Sequence, residues 1–135
     1  MTRPVFGQNE PGVAYRRRPS VYGIALDGAG RVLVVAGPRG THFLPGGGIE
    51  AGEDAVEALV REVDEETGAV ADVDVEIGAA DQLLVAADGI GYRKEARFFR
   101  VRVAADDVRE GAWVAPAECR WGHECFVWAV DRARR

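Results

Sequence analysis

Residues 47–69 read GGIEAGEDAVEALVREVDEETGA, and the rest of the chain takes its meaning from this stretch. Glu53-Asp54 supplies an N-cap and an acidic first turn, and Gly68 supplies a C-terminal stop, so the spacing predicts a helix between them. Val56, Leu59, Val60 and Val63 fall at i, i+3, i+4 and i+7 and make one apolar stripe. Each residue of a helix turns roughly 100°, which places Glu62 and Glu66 one turn apart on one side with Glu65 beside them. This arc abuts the apolar stripe, so the three carboxylates face the edge of the protein body and not open water. Gathered carboxylates repel one another and raise one another's pKa, a conflict that a divalent cation resolves. Oxygen-only ligands select hard ions, Mg²⁺ or Mn²⁺, and such ions keep positions open for water and substrate phosphates. They polarise phosphorus and acidify bound water. The stretch thus suggests phosphoryl chemistry. Arg61, at i+4 from Glu57 and i−4 from Glu65, is the one base among eight acids between Glu50 and Glu66.

Working outward, Leu44-Pro45-Gly46-Gly47-Gly48 precedes the helix as a loop free to take unusual dihedrals. Before it, Ser20 to Leu26 and Val32 to Ala36 read as strands joined by the turn Asp27-Gly28-Ala29-Gly30. After the helix, Val70 to Ile77, Ala79 to Ala87, Tyr92 to Val103 and Ala112 to Ala115 read as strands. Asp88-Gly89-Ile90-Gly91 is a hairpin turn. Pro116 opens a short turn, and His123 to Arg132 forms a closing helix. The expected fold class is α/β, a mixed sheet with a helix on each side. Residues 1–18, with Arg16-Arg17-Arg18, are expected to form an N-terminal arm, and residues 19–135 a single domain.

The composition agrees with a single globular unit: 135 residues, 47% hydrophobic and 29% charged. The net charge of −5 is concentrated in the helix segment, whose eight acids face one arginine. No apolar run approaches the roughly 18 residues of a membrane span. Met1 to Pro11 has no signal-peptide core, and the cysteines, Cys119 and Cys125, are expected as free thiols; a cytoplasmic location is the expectation.

The stretch resembles the signature of the Nudix hydrolase family, G-x₅-E-x₇-R-E-U-x-E-E-x-G-U, where U is a bulky aliphatic residue. Gly47, Glu53, Arg61, Glu62, Val63, Glu65, Glu66 and Gly68 stand at the required places. Ala69 departs at the last position, where the following Val70 is expected to fill the same pocket. Leu44 to Glu50, the strand Arg31 to Val35 and Trp113-Val114 also look like family elements. The resemblance implies a Nudix-type α/β/α sandwich around a mixed β-sheet. It implies divalent-metal-dependent hydrolysis of a phosphoanhydride in a nucleoside diphosphate-linked substrate, a nucleoside triphosphate or modified nucleotide first among these. Mg²⁺ or Mn²⁺ would be held by Glu62, Glu66 and Glu65, with the backbone carbonyl of Gly46. Arg61 would orient the carboxylates and Glu53 would support the loop–helix junction. The general base is divided among Glu65, Glu66 and a loop acid, Glu118, with Glu65 favoured.

Other residues carry two readings each. Arg39, in the loop before the box, is either a phosphate contact or a surface residue; Arg97, Arg100 and Arg102 raise the same question. His42 is a candidate substrate contact, His123 the start of the last helix, and Trp113, Trp121 and Trp128 core or dimer-face aromatics. The partner expected is a small nucleotide, with no stable nucleic acid and no membrane; a homodimer is compatible with the family. The subfamily marks for ADP-ribose, dinucleoside polyphosphate, NADH and coenzyme A substrates are absent; the chain carries no proline between Pro45 and Pro116. An ADP-ribose or nucleotide-sugar pyrophosphatase remains an enzymatic alternative, and a non-catalytic nucleotide-binding domain the non-enzymatic one.

Overall fold

The computed structural model describes residues 3–135. Among the described residues eight strands and two α-helices follow one another as β1 (Val5–Phe6), β2 (Tyr15–Ile24), β3 (Val32–Ala36), β4 (His42–Phe43), β5 (Gly46–Gly48), α1 (Ala55–Thr67), β6 (Asp72–Val85), β7 (Gly91–Arg102), β8 (Ala112–Val114) and α2 (Glu124–Ala133). Five strands form a mixed sheet in the order β1-β6-β7-β2-β5, and β4-β3-β8 form a smaller antiparallel sheet. No helix is long and apolar enough to cross a membrane among the described residues.

The pleat of the large sheet divides the core in two. Neighbouring residues of a strand point to opposite faces, so Tyr22 and Phe98 join Phe126, Ala129 and Val130 of α2, while Val21 and Phe99 join Ala58, Leu59 and Val63 of α1. Both faces are covered, which is the α/β/α sandwich expected from the sequence.

Helix α1 starts and stops where the sequence placed it. Asp54 is the N-cap: its side chain accepts from the Glu57 N–H at 2.8 Å, and the Glu57 carboxylate accepts from the Asp54 N–H at 3.1 Å. Gly68 closes the helix with φ 80°, a left-handed conformation. The buried stripe is rotated from the one expected. It runs through Ala55, Ala58, Leu59, Val63 and Thr67, and Val56 lies outside it, 42% exposed. The small residues Ala55 and Ala58 let the helix lie close to the sheet, an advantage that a count of large aliphatics overlooks. The rotation brings Glu62 and Glu66 nearer to the sheet.

Ala69 itself is fully buried at the end of α1, and Val70 points out, 72% exposed. The expectation that Val70 would stand in for a bulky residue is therefore wrong: the left-handed turn at Gly68 aims position 69 inward and position 70 at solvent.

Two strand readings also change. The strands read as Val70–Ile77 and Ala79–Ala87 are one, β6, whose register against β7 shifts between Val73 and Gly78. A bulge bends a strand without ending it, so Gly78 marks a kink, not a boundary. And β2 begins at Tyr15, inside the stretch expected to be an arm. Tyr15 to Ile24 pair in parallel with Gly91 to Arg100, and Val5-Phe6 pair with Asp81-Gln82 of β6. Arg16-Arg17-Arg18 lack the alternation of a half-buried strand because their neighbours are charged partners, such as Glu95 against Arg17 at 3.1 Å.

Candidate functional site

The glycine strand β5 and the middle of α1 meet through Gly46, Gly47 and Gly48. β5 pairs antiparallel with β2 (Ser20↔Gly48, Val21↔Gly47, Tyr22↔Gly46), so it borders the large sheet directly beside α1. Gly46 has φ 148°, and a Cβ there would run into the Val21 carbonyl. At Gly47 a Cβ would stand 2.7 Å from Glu62 Oε1, so any side chain at this position displaces the carboxylate. These two glycines let the helix carboxylates lie against backbone.

Arg61 organises the acids. Its Nη2 donates to Glu53 Oε1 at 2.6 Å and to the Gly48 carbonyl at 3.2 Å, and its Nε donates to Glu53 Oε2 at 3.1 Å. Its Nη1 reaches Glu62 Oε1 at 3.1 Å and Glu65 Oε2 at 3.4 Å. The planar guanidinium thus joins the glycine strand, the first acid of the box and two acids of the helix. The Arg61 hydrogen bond is the main force holding the Glu53 carboxyl below the usual range. Glu53 Oε1 also accepts from the Glu50 N–H at 2.9 Å, closing the turn before the helix.

Glu66 is different. Its Oε1 accepts from the Gly46 N–H at 3.1 Å. Burial, followed by the neighbouring Glu62 and Glu65, pushes its carboxyl up to about 7 in spite of that hydrogen bond. Glu65 is the most open of the three, 57% exposed. The structure therefore brings Gly46, Glu53, Arg61, Glu62, Glu65 and Glu66 together. Gly46 contributes its N–H to the cluster through Glu66.

No three side chains of the metal-ligating types converge closely enough to enclose an ion as they stand, among the described residues. Glu62 and Glu65 are turned onto Arg61, and Glu66 onto Gly46. The donor set nevertheless fits a hard divalent cation: the side chains gathered there, Glu62, Glu65 and Glu66, offer only carboxylate oxygens.

Arg39 and Glu118 share no hydrogen bond or ion pair with the box acids among the described residues. Glu118 ends a 3-10 turn, Pro116–Glu118, after β8; Pro116 and Ala117 of that turn line a cavity with Trp121, Val127 and Val130 on the α2 side. The loop that docks on the C-terminal end of α1 is a different one, with the Arg109 N–H donating to the Thr67 carbonyl at 2.7 Å. Arg39, at φ 55°, stands with Lys94, His123 and Phe43 on a cleft of about 620 Å³. His42 is occupied structurally, its Nδ1 accepting from the Arg120 N–H at 2.8 Å. Arg97 pairs with Glu76 at 2.8 Å, Arg102 with Asp72 at 3.3 Å, and Arg100 donates to the Ala133 carbonyl. Cys119 and Cys125 are free thiols.

Several groups beside the carboxylates escaped the sequence reading. Tyr22 pairs across from Gly46, and its phenol is raised by burial first, then by Cys125 and by the charges of Glu66 and Glu62. Lys94 Nζ stands 3.1 Å from the Tyr22 hydroxyl and 2.9 Å from His123 Nε2. Arg17 and Arg18 border a groove of about 380 Å³ with Gly48, Glu50 and Glu62, and the Arg18 guanidinium lies 4.5 Å above the Tyr92 ring. In sequence, Lys94 is one charge in Arg93-Lys94-Glu95, and no spacing rule singles it out.

A family model described as the NUDIX domain matches residues 16–126. An RNA pyrophosphohydrolase from Teredinibacter turnerae is 46% identical over 67 residues, 48% of this chain and 39% of that protein, so the chain matches well under half of that relative's length. Among solved structures, a MutT protein from Methanosarcina mazei Go1 superimposes with a TM-score of 0.69 at 22% identity, covering 92% of this chain and 97% of that one. An ADP-ribose pyrophosphatase from Streptococcus suis reaches a TM-score of 0.65 at 15% identity, covering 87% and 92%. At these identities the structural likeness is one of fold.

Proposed function

The chain belongs to the NUDIX family, and on that premise we propose that it hydrolyses a phosphoanhydride bond in a small nucleotide, a nucleoside triphosphate or modified nucleotide, with a divalent cation. The observation that carries this reading is the Arg61 clamp, which gathers Glu53, Glu62 and Glu65 against the Gly48 carbonyl beside the half-buried Glu66.

Glu62, Glu66 and Glu65, with the Gly46 carbonyl, would hold Mg²⁺ or Mn²⁺. When bound, the ion neutralises the phosphates and acidifies a water molecule. Arg61 keeps the helix acids from splaying apart, and Glu53 fixes Arg61. Arg18, along the groove that reaches Glu62, would neutralise a phosphate of the substrate. Glu65, the most exposed acid, is placed to take the proton of the attacking water as the new oxygen–phosphorus bond forms and the bridging oxygen leaves with the departing phosphate. Glu118, at the end of the 3-10 turn after β8, is the alternative base.

The test is phosphate and pyrophosphate release from a panel of nucleoside triphosphates, oxidised variants, nucleotide sugars, ADP-ribose and dinucleoside polyphosphates, with Mg²⁺ and with Mn²⁺. The similarity to an RNA pyrophosphohydrolase adds a 5′-triphosphorylated RNA to that panel. Turnover of one class by the wild type, lost in a Glu65→Gln, Glu66→Gln variant, supports the reading. Tight nucleotide binding without turnover of any member would replace it with a ligand-binding role.

A further inference from the structure

The cleft of about 620 Å³ is reached from the carboxylate cluster through one strand pair: Lys94 on its wall donates to the Tyr22 hydroxyl, and Tyr22 pairs across β2–β5 with Gly46, whose N–H holds Glu66. Its walls are apolar at Phe43, Leu84 and Val85 and cationic at Arg39 and Lys94. Phe43 is held rigidly: a Cβ on Gly122 would collide with its ring, and the His123 ring packs 4.8 Å from it. A fixed aromatic ring in a cleft of this size is a platform for a planar heterocycle.

Lys94 sets what the platform selects. An ammonium has three donors and no acceptor. One is directed to the Tyr22 hydroxyl and one to His123 Nε2. Burial, and then Lys94 itself, hold His123 at about 4, so its ring is neutral and its Nε2 is free to accept. Gln82, the neutral amide on the cleft, is already engaged: its Oε1 accepts from the Cys125 N–H at 3.0 Å and its Nε2 donates to the Leu83 carbonyl at 3.3 Å. The third Lys94 donor is left for a ligand, and no hydrogen bond or ion pair to a carboxylate occupies it among the described residues.

We propose that this cleft holds the nucleobase of the substrate and that Lys94 selects a base with a keto edge, a 6-oxopurine over a 6-aminopurine. A 6-oxopurine presents two adjacent acceptors, O6 and N7, to a cation; a 6-aminopurine replaces O6 with a donor that opposes the ammonium. Tyr22 and His123 act as positioning residues, since each holds the Lys94 ammonium through one hydrogen bond. This selection rests on the nucleotide-hydrolase reading above, and it goes beyond it in naming the base.

Inosine and adenosine nucleotides differ at purine position 6 and in the N1 proton that goes with it, so they form the test pair. With Mg²⁺, kcat/KM for ITP is expected to exceed that for ATP by about 10-fold or more, and Lys94→Met is expected to bring the ratio near one, while Lys94→Arg retains part of it. Calorimetric binding of IMP and AMP to the wild type without metal gives the same comparison with no turnover needed, and it stands even if Lys94→Met fails to fold. Equal kcat/KM for ITP and ATP, or a ratio that survives Lys94→Met, would overturn the selection and leave the hydrolase standing. Tighter binding of IMP than AMP, with neither triphosphate hydrolysed, would support the selection and count against the hydrolase. Equal binding of IMP and AMP without turnover overturns it as well.

Discussion

Arg61 carries more of the site than any other single side chain, because its five donors form a flat fork that Lys cannot reproduce. Arg61→Lys keeps the charge and loses the simultaneous contacts to Glu53, Glu62 and Gly48. Its turnover is expected to fall about 10- to 100-fold, the usual cost of removing a group that orients metal ligands. Unchanged circular dichroism beside that loss would separate it from misfolding, and unchanged turnover would remove Arg61 from the machinery. His123 gives a second expectation. Its folded pKa, about 4, lies below its ordinary value near 6.5, so the unfolded chain binds a proton between these values that the native protein does not. Stability contributed by the neutral ring is complete above about 6.5 and is lost as pH falls toward 4. Urea titrations across that window should show the decline, and His123→Gln should flatten it; an NMR titration of the ring placing its midpoint near 6.5 would contradict the assignment. The box acids were legible because their geometry is set by one helix. Lys94, Tyr22 and His123 were not: three elements distant in sequence bring them together.

At the scale of elements, α1 shows how far a local rule extends. Capping, length and the clustering of Glu62, Glu65 and Glu66 follow from the helix period and from Asp54 and Gly68. Asp54→Ala removes the side-chain acceptor of the Glu57 N–H and leaves the bond from its own backbone N–H to the Glu57 carboxylate; it is expected to cost about 1 kcal/mol, seen as a melting temperature lower by a few degrees. An unshifted melting curve would mean that packing alone holds the helix start. The rotation of the buried stripe onto Ala55 and Ala58 could not be read in the same way, since it depends on how closely the sheet approaches. The same holds for β6, where Gly78 looked like a break and is a bulge, because β7 continues to pair on both sides of it. It holds for β2 as well: its first residues are polar, and β7 supplies the hydrogen bonds that make them a strand.

Across the whole molecule, a charged network ties the N-terminal segment to the sheet. Asp81 is 1% exposed and meets Arg93 at 2.7 Å and Arg3 at 3.3 Å, while Glu95 meets Arg3 and Arg17. Its Oδ1 has no hydrogen bond, so Arg93 is its principal partner. Arg93→Met leaves a buried carboxylate with weak compensation and is expected to cost about 3 kcal/mol in urea unfolding. Adding Asp81→Leu should recover most of that loss, because the penalty belongs to the stranded charge. A double variant as unstable as the single one would argue that packing of the Arg93 stem is what matters.

The α/β class, helix α1, its caps and the gathering of its acids were all contained in the order of residues, because each depends on a period of 3.6 or 2 and on neighbours a few positions away. The inward turn of Ala69, the rotation of the helix on the sheet, the strand formed by Tyr15 to Arg18, and the cleft built from Phe43, Lys94 and His123 required the folded molecule. Their contacts join segments tens of residues apart, and the close packing that sets such contacts leaves no periodic trace in the chain.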